Sequence, residues 1–371
     1  MTFNKKEAAR MYATHVPHVS SYEIEFIAVG EGSKSGDAIV ASWVEASGIR
    51  RIVVIDGGYQ TTGEKVVKLV HDRFGTHFID LIVSTHPDED HTNGLVVVLE
   101  ECTVSELLMH QPWNHGIAGA SLYAGRFADR GLRVEAMKSL DAVRITAEQA
   151  LETDVTVNEP FSGETRFDGI VEILGPTPAF YESLLPGFRA AGASTSVVSG
   201  ILSKAGSLAT IVRESLDVET LTDAGETSAE NDSSAIVQLN FNGQRVMLTG
   251  DAGIPALEGA ADYLDLTYRG PDSLRLIQVP HHGSKRNVGP TVLDRLLGTK
   301  LGYDTTIRPA VVSAAPDGAP KHPARQVTNA FRRRGTPVYP TQGSNIRLDY
   351  NAPLAGWSAA TPLPLYTEVE E

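Results

Sequence analysis

An apolar run followed at once by a dense charged motif is the feature that most constrains this sequence. Residues 78–83 read FIDLIV, which is typical of a buried strand, and residues 84–94 read STHPDEDHTNG. Residues 86–91 alone hold two histidines and three acids. Because charge at the end of a core strand must be solvated, paired or bound to a metal, this segment is either a polar turn or a set of metal ligands.

Histidine and carboxylate pairs in this motif have a spacing that suits two ions. In an extended turn, residues two apart project to one side, so His86 and Asp88 can share one ion. Asp90 and His91 can then turn toward a second ion. Imidazole and carboxylate ligands suit zinc, manganese or iron, and the lack of thiolates argues against a closed structural zinc site.

Three further polar clusters follow predicted strands later in the chain. Asp251 ends the strand RVMLTGD, His281 and His282 follow RLIQVP, and His322 lies in the loop after RPAVVSAA. Adjacent histidines point in different directions, so we expect one of the pair to bind metal and the other to support it or donate a proton. Each cluster alone is also compatible with a turn, a cap or a surface loop, but α/β folds build sites at strand ends, which favours one shared site.

Length and charge exclude several classes of protein. The chain has 371 residues, enough for one large α/β domain, and we predict a single domain over residues 1–371. Its net charge of −14 weighs against tight binding to long nucleic acid, although metal ions would still allow a nucleotide or a short strand to bind. The single cysteine, Cys102, excludes an intramolecular disulfide and fits a reducing cytosol. No membrane span or signal-peptide pattern is apparent, so we predict a cytoplasmic protein without membrane contact.

Predicted strands and helices alternate along the chain, which is typical of the α/β class. Residues 178–230 contain a Ser/Gly-rich stretch and are predicted to be an insertion or flap. Residues 352–371 are predicted to be a loose C-terminal tail. The run of three arginines at residues 332–334 is expected on the outer face of a helix near its C-terminus.

Taken together, the motifs resemble those of the metallo-β-lactamase fold superfamily, over about residues 22–348. The matching segments are VIDGG with Asp56, the HxDxDH stretch at 86–91, TGD ending at Asp251, and PHHGS at 280–284. Within the superfamily, the chain is most similar to the hydrolase domain of ComEC-type competence proteins and its soluble relatives. That similarity rests on VGEGSKSGDAIV, with Asp37 in the aspartate position, and on ENDSSAIVQL, KHP and YPTQG.

The resemblance implies an αββα four-layer sandwich, an α/β fold that some schemes class as α+β, with two divalent ions, zinc or manganese, between its sheets. Asp56 would support the ligand loop without binding metal, and His282 is favoured over His281 as the last ligand. ComEC proteins also carry membrane-spanning channel segments, which this chain lacks, so DNA uptake is not implied. The implied metal ligands are His86, Asp88, Asp90, His91, Asp251 and His282.

Two positions depart from the superfamily pattern. Most members have histidine where this chain has Asp88, and the usual histidine before TGD is missing from the segment at residues 230–234. Asn231 or Asp232 is the candidate replacement there. Oxygen ligands in place of two histidines shift the preference of the first site from zinc toward manganese.

The implied function is metal-dependent hydrolysis, most simply by a phosphodiesterase or nuclease that acts on a nucleotide or short nucleic acid through a two-metal-activated hydroxide. Asp90 would be essential for catalysis, His281 or His322 would protonate the leaving group, and Lys285 and Arg286 would hold a phosphate unless they are an ordinary solvated loop. One alternative is a hydrolase of a lactone, thioester or β-lactam. Another is a non-catalytic metal-binding module. The sequence leaves the oligomeric state open.

Overall fold

Two mixed β-sheets form the centre of the molecule. The computed structural model describes residues 18–370, apart from residues 31, 116–144, 151, 189–210, 268, 319–320 and 354–355. The strands are β1 Val19–Phe26, β2 Ala38–Glu45, β3 Arg50–Gly57, β4 Phe78–Ile79, β5 Leu81–Val83, β6 Thr103–Val104, β7 Glu106–Leu108, β8 Thr156–Asn158, β9 Thr165–Arg166, β10 Val171–Gly175, β11 Ile211–Arg213, β12 Ile236–Phe241, β13 Gln244–Leu248, β14 Leu274–Gln278, β15 Ala310–Val312, β16 Val338–Pro340, β17 Ile346–Tyr350 and β18 Glu368–Glu370. The α-helices are α1 Gln60–Phe74, α2 Glu89–Glu101, α3 Pro178–Leu184, α4 Ala229–Asp232, α5 Ile254–Leu266, α6 Pro290–Leu297 and α7 Arg325–Arg333.

Each large sheet has an antiparallel part and a parallel part. The first sheet has the order β17-β1-β2-β3-β5-β7-β8, and its strands run parallel from β3 onward. The second has the order β16-β15-β14-β13-β12-β10-β9, and β13 to β16 are parallel. Two small sheets pair β11 with β18 and β4 with β6. Parallel strands bring their carboxyl ends to one edge, so the segments after β3, β5, β13, β14 and β15 can meet there.

Alternating side chains assign the sheets to four layers. On β3, Val53 and Ile55 belong to a core shared with Val237 and Leu248 of the second sheet, so the two sheets pack face to face. The residues that alternate with them, Ile52 and Val54, belong to a different core, which α1 and α2 cover. A third core joins the opposite face of the second sheet to α5, α6 and α7. The predicted αββα sandwich is therefore confirmed.

Inserted and terminal segments are more tightly packed than the sequence indicated. Within the predicted insertion at 178–230, residues 189–210 lie outside the described part, and the segment after them carries Glu214, which is buried. The tail at 352–371 was expected to be loose, but it ends in β18, whose central residue Val369 is fully buried against β11. Its backbone also accepts a hydrogen bond from Asn329 of α7.

Two arginines expected on the outer face of a helix are buried, so that prediction was wrong. Arg333 and Arg334 are each only 1% exposed. Arg333 pairs with Glu214 at 2.9 Å, and both side chains are fully enclosed. Arg334 pairs with Glu219 at 2.8 Å. Both acids lie in the segment that was predicted to be an insertion or flap, and the periodicity of the helix alone could not show that another segment covers it. No described helix is long and apolar enough to span a membrane.

Three glycines let the helix that begins in the charged motif approach the first sheet closely. Gly94 of α2 faces Gly57 at the end of β3 and Gly63 of α1. A Cβ atom on Gly94 would lie 2.0 Å from the carbonyl oxygen of Gly57 and 2.8 Å from that of Tyr59. Both obstacles are backbone atoms, which cannot move aside as a flexible side chain can. The contact therefore fixes where the first turn of α2 lies.

A Gly94→Ala variant should lose about 1–3 kcal/mol of free energy of unfolding, because the new methyl group must push α2 away from β3. Gly259 offers a matched control, since it also lies in a helix but has nothing within 4 Å of the position that a Cβ atom would take. Gly259→Ala should stabilise the protein by about 1 kcal/mol. Urea unfolding of both variants measures the difference. Equal effects at the two sites would contradict the close contact.

Candidate metal centre

Hydrogen bonds to Asp56 fix the position of the loop after β5. This residue is the last but one of β3, has a left-handed backbone (φ 56°) and is 1% exposed. Its carboxylate accepts hydrogen bonds from the backbone N–H of Thr85 (2.8 Å), the hydroxyl of Thr85 (2.7 Å) and Nδ1 of His91 (2.7 Å). These three hydrogen bonds connect Asp56 to the loop after β5 and to α2.

Four histidines share one arrangement, in which Nδ1 is tied to a fixed partner and Nε2 faces a common centre. A histidine that binds metal through Nε2 usually donates its Nδ1–H to a neighbouring oxygen, which fixes both tautomer and ring orientation. The Nδ1 partners are the Thr85 hydroxyl for His86 (3.0 Å), the Asp56 carboxylate for His91 (2.7 Å), the Asn287 side-chain oxygen for His281 (2.9 Å) and the Ser313 carbonyl for His282 (2.9 Å).

Asp251 lies at the point on which the four Nε2 atoms converge. It follows β13 in the TGD turn and is 2% exposed. Its backbone N–H donates to the hydroxyl of Ser234 at 3.2 Å, and Gly250 before it has φ 50°. The Nε2 distances to its carboxylate oxygens are 3.3 Å for His91 (to Oδ1), and 3.5 Å for His281, 3.8 Å for His86 and 4.0 Å for His282 (to Oδ2).

Asp88 and Asp90 flank this centre at the start of α2. Asp88 is the N-cap residue of the helix, but its side chain makes no capping hydrogen bond. Its Oδ2 lies 4.0 Å from Nε2 of His86. The Oδ2 of Asp90 lies 3.3 Å from Nε2 of His282 and 4.0 Å from Nε2 of His91. The structure thus brings all six predicted metal ligands to one place.

Asp37 is a member of the cluster to which the sequence analysis gave no role. Asp37, His91, Asp251 and His282 are all buried, and each offers a ligand atom within 4.8 Å of the others. Within the described part of the chain, neither carboxylate oxygen of Asp37 has a hydrogen-bond partner. Its backbone N–H donates to the carbonyl of Asp90 at 3.1 Å, which ties the glycine-rich turn to the ligand helix. The glycine-rich turn GEGSKSGD, which ends at Asp37, is the sequence feature that could have indicated this position.

The charges of the cluster balance one another through shifted pKa values. Burial raises the pKa of Asp251, but His281, His91 and His282 together lower it well below its usual value. Burial lowers the pKa of His282, but Asp251 and Asp90 raise it to about 9. His91 shows the same pattern and its pKa is raised well above normal. The protons on His91 and His282 therefore supply the positive charge that bound divalent cations would otherwise supply, and metal binding would release them.

The donor set fits a metal site. In the described structure, Nε2 of His86, Nε2 of His91, Oδ1 of Asp251 and both oxygens of Asp37 are buried without a hydrogen bond of acceptable geometry. Buried polar atoms left in this way cost free energy unless a ligand satisfies them. Burial and the neighbouring His91 lower the pKa of His86 to about 3, so its ring is neutral and can donate a lone pair. The buried His/Asp cluster is therefore a candidate metal centre.

The remaining predicted residues lie around the cluster. The ring of His322 is stacked on that of His281, with centroids 6.0 Å apart. Burial, and to a smaller extent the neighbouring His282, lower the pKa of His322 to about 4. Lys285 and Arg286 are exposed just after the His281–Gly283 turn. The carboxylate of Asp232 faces the backbone of Gly253, and burial raises its pKa to about 6. The side chain of Asn231 contacts the ring of His281.

A narrow cleft adjoins His86 on the side of the first sheet. His110 follows β7 as His86 follows β5, and its ring stacks on Tyr181 with centroids 4.3 Å apart. Burial lowers the pKa of His110 to about 3, so its ring is neutral. Sequence patterns gave no sign of this residue, because a lone histidine after a strand is usually structural. The lining is otherwise mostly apolar and comprises Ser84, His86, Pro87, Met109, His110, Pro112, Tyr181 and Phe188.

Comparisons with known proteins give distant structural matches only. No family model and no curated protein matches the sequence. Among solved structures, the chain resembles the hydrolase AbOPH in the beta lactamase superfamily (11% identity, TM-score 0.28), a long form RNase Z from yeast (11%, 0.34) and Rm3 metallo-beta-lactamase (10%, 0.34). At such low sequence identities and TM-scores, none of the three matches assigns an activity or a ligand to this chain.

The matches differ in how much of each protein they cover. They span 58%, 78% and 89% of this chain in the order given above. They span 56% of AbOPH, 36% of the RNase Z and 95% of Rm3. The chain thus corresponds to about half or less of the first two proteins. Any function is therefore to be inferred from the residues of the cluster.

Metal loading should stabilise the fold. Stripping the protein with a chelator and then adding Mn²⁺ or Zn²⁺ to about 100 times its Kd should add about 2.7 kcal/mol of stability, which corresponds to a rise in Tm of about 3–4 °C for a chain of 371 residues. Differential scanning calorimetry measures the shift. Mg²⁺ serves as a control, because it prefers all-oxygen octahedral sites and the histidine-rich cluster should bind it weakly. An unchanged Tm with both Mn²⁺ and Zn²⁺ would contradict the assignment of a metal centre.

Proposed function

We propose that this protein is a metal-dependent hydrolase that cleaves phosphodiester bonds in a nucleotide or short nucleic acid. The observation that carries the proposal is the convergence of four histidine Nε2 atoms on the buried carboxylate of Asp251, within 3.3–4.0 Å. A structural core has no need for such a set of histidines and acids, since an apolar core of the same volume is usually at least as stable.

The ligands fall into two groups that share Asp251. Asp90, His91 and His282 lie close together with Asp37 beside them, and we assign this group to a second ion. His86 and Asp88 form the start of a first group. Bound divalent ions would supply positive charge that polarises the scissile phosphodiester and would lower the pKa of a water molecule to about 7.

The choice of a phosphodiester rests on the ligand chemistry. At position 88 this chain has an aspartate where relatives have a histidine, and Asp37 adds a further oxygen donor to the cluster. Each carboxylate that replaces an imidazole in a mixed site shifts its preference toward harder ions such as manganese, which also bind phosphate oxygens well. The cationic side chains of Lys285 and Arg286 are exposed directly after the ligand turn, where they are available to a substrate phosphate. The same ligand pattern supports membership in the ComEC-like branch.

The size of the substrate follows from the overall charge. A net charge of −14 repels a long polyanion, and neutralising phosphates along a duplex usually needs a basic face. A nucleotide or a short strand presents few phosphates, and the ions together with two cationic side chains can balance them. We therefore infer a small phosphodiester substrate.

A second candidate activity is hydrolysis of a lactone, thioester or β-lactam. The apolar lining of the cleft beside His86 favours it, because Pro87, Met109, Tyr181 and Phe188 would contact an acyl group at the mouth of the cleft, whose interior has room for about one water molecule. In that case the neutral ring of His110 would hydrogen-bond the polar part of the substrate.

Assays of the metal-loaded protein separate the two activities. Samples stripped of metal and reloaded with Mn²⁺ or Zn²⁺ would be tested on bis(p-nitrophenyl) phosphate, cyclic dinucleotides, short single strands, plasmid and a panel of lactones and thioesters. We expect turnover of the small phosphodiesters, a preference for Mn²⁺, and weak or no cleavage of plasmid.

The outcomes discriminate clearly. Turnover of lactones or thioesters without phosphodiesters would replace the first activity by the second. No turnover of any substrate by protein shown to contain metal would favour a non-catalytic metal-binding module. Asp90→Ala is the matched inactive variant, because Asp90 is only partly buried and its loss should leave the fold intact.

A further inference from the structure

We propose that His281 is a ligand of the first ion and takes the place of the histidine that is missing before the TGD turn. On this view the two adjacent histidines both bind metal, one ion each, whereas the sequence suggested that only one of them would. The inference rests on the proposed two-metal centre. It completes a first group that otherwise holds only His86, Asp88 and the shared Asp251.

The backbone of the PHHGS turn sends the two rings in different directions. His281 and His282 both have left-handed conformations, with φ 47° and φ 54°. Such conformations are costly for non-glycine residues and usually persist where function needs them. Their ring planes are 70° apart and their centroids are separated by 5.7 Å. The Nε2 atom of His282 lies 3.3 Å from Oδ2 of Asp90, whereas that of His281 lies 3.5 Å from Oδ2 of Asp251.

His281 and His86 approach the same oxygen of Asp251. Their Nε2 atoms lie 3.5 Å and 3.8 Å from Oδ2. The Nε2 of His91 instead lies 3.3 Å from Oδ1 of Asp251 and 3.9 Å from Oδ2 of Asp37. The Nε2 of His282 is the most distant of the four, 4.0 Å from Oδ2, and its closer contact is with Asp90 of the second group at 3.3 Å. A carboxylate that bridges two ions offers one oxygen to each. His281 is thus placed with His86 on the Oδ2 side.

Asn287 holds the ring of His281 in the orientation that a ligand needs. Its side-chain oxygen accepts the Nδ1–H of His281 at 2.9 Å, so the lone pair is left on Nε2. Its side-chain nitrogen donates to the backbone carbonyl of Asp251 at 2.8 Å. Asn287 is fully buried, so one amide links the ring to the carboxylate that both ions would share.

Asn231 supports this ring from the position of the missing histidine. Its Nδ2 donates to the hydroxyl of Thr227 at 2.7 Å and lies 3.1 Å from Nδ1 of His281. Because Nδ1 already donates its hydrogen to Asn287, this contact is one of packing and not a hydrogen bond, and it lies on the edge of the imidazole away from Nε2. Asn231, predicted as a replacement ligand, is reassigned here to positioning His281.

Counting bound ions tests the assignment without using activity. Full-length protein would be stripped of metal, loaded with Mn²⁺, freed of excess metal by gel filtration and analysed by inductively coupled plasma mass spectrometry, with isothermal titration calorimetry for affinities. We expect two ions in the wild type. His281→Ala, His86→Ala and the double variant should each hold one, because both side chains serve the same ion.

Supporting residues should behave differently from ligands. Asn287→Ala and Asn231→Ala should keep two ions, with the affinity of the weaker site reduced about 10–100-fold. His77→Ala removes an exposed histidine whose ring packs against His71, outside the cluster, and should change neither the number of bound ions nor their affinity. His281 is 29% exposed, so its truncation should be tolerated, and His281→Gln provides a second variant that keeps the volume of the side chain.

The results distinguish this inference from the proposed function. A wild type that holds no ion would remove the metal centre itself. A wild type with a single ion, or a His281→Ala protein that still holds two, would overturn the inference alone. A double variant that holds none would also overturn it, because His281 would then serve the second ion. Loss of one ion from Asn231→Ala would assign the ligand role to Asn231 instead.

Discussion

An Asp251→Asn variant is expected to lose metal-dependent hydrolysis by a factor of at least about 10²–10³, the cost of removing one well-placed charged group from an active site. The reason is geometric. Among the described residues of the cluster, Asp251 alone contacts all four histidines, so both ions would lose their shared ligand. The neutral amide also removes the negative charge that balances two cations.

The measurement is kcat/KM for bis(p-nitrophenyl) phosphate together with the number of bound Mn²⁺ ions. Asn has the same shape as Asp, so the backbone contacts of residue 251 with Ser234 and Asn287 should persist. Asp262→Asn is the control, since that carboxylate is exposed and its ion pair with Arg295 contributes little. Normal turnover by Asp251→Asn with two ions bound would contradict the bridging role.

Replacing Asp56 by alanine should cost about 3–5 kcal/mol of free energy of unfolding, which is the usual effect of removing one partner from a buried charged network. Three donors, two from Thr85 and one from His91, would lose their acceptor. His91 would also lose the partner that fixes its tautomer. A lower affinity for metal, by about 10–100-fold, should accompany the loss of stability.

Asp154 provides a matched control for this substitution. It is an exposed aspartate with φ 57°, close to the φ of 56° at Asp56. Asp154→Ala therefore measures what a left-handed alanine alone costs, about 1 kcal/mol. Urea unfolding and Mn²⁺ titration of both variants give the comparison. If the two variants lost equal stability, the hydrogen bonds of Asp56 would contribute nothing to the free energy of unfolding.

The layers of the fold could be predicted because local patterns determine them. Alternation on β3 and helical spacing on α1 reflect which face each element buries, and both are visible in a single sequence. The burial of Arg333 could not be predicted in this way. It depends on Glu214, which is 119 residues away in the chain, and no local pattern reports a contact of that range.

The candidate site was predicted in outline for a similar reason. Each of its acidic and histidine clusters directly follows a strand, and parallel strands carry their ends to one edge. The parts that were missed depend on side-chain direction. The carboxylate of Asp37 enters the cluster because its turn binds the backbone of Asp90, and the rings of His281 and His282 diverge because both residues are left-handed. Neither backbone conformation follows from residue type.

The ligands come from two distant parts of the chain and from opposite sheets. Asp37, His86 and His91 belong to the first sheet and its loops, whereas Asp251, His281 and His282 follow strands of the second. Between the two groups, Asp90 and Asp251 are separated by about 160 positions in the sequence, so a bound ion closes a very long loop. Bound ions would thus act as a non-covalent cross-link that clamps one rim of the sandwich. Without them, amide hydrogen exchange should quicken first along that rim, while the far edges of both sheets stay protected.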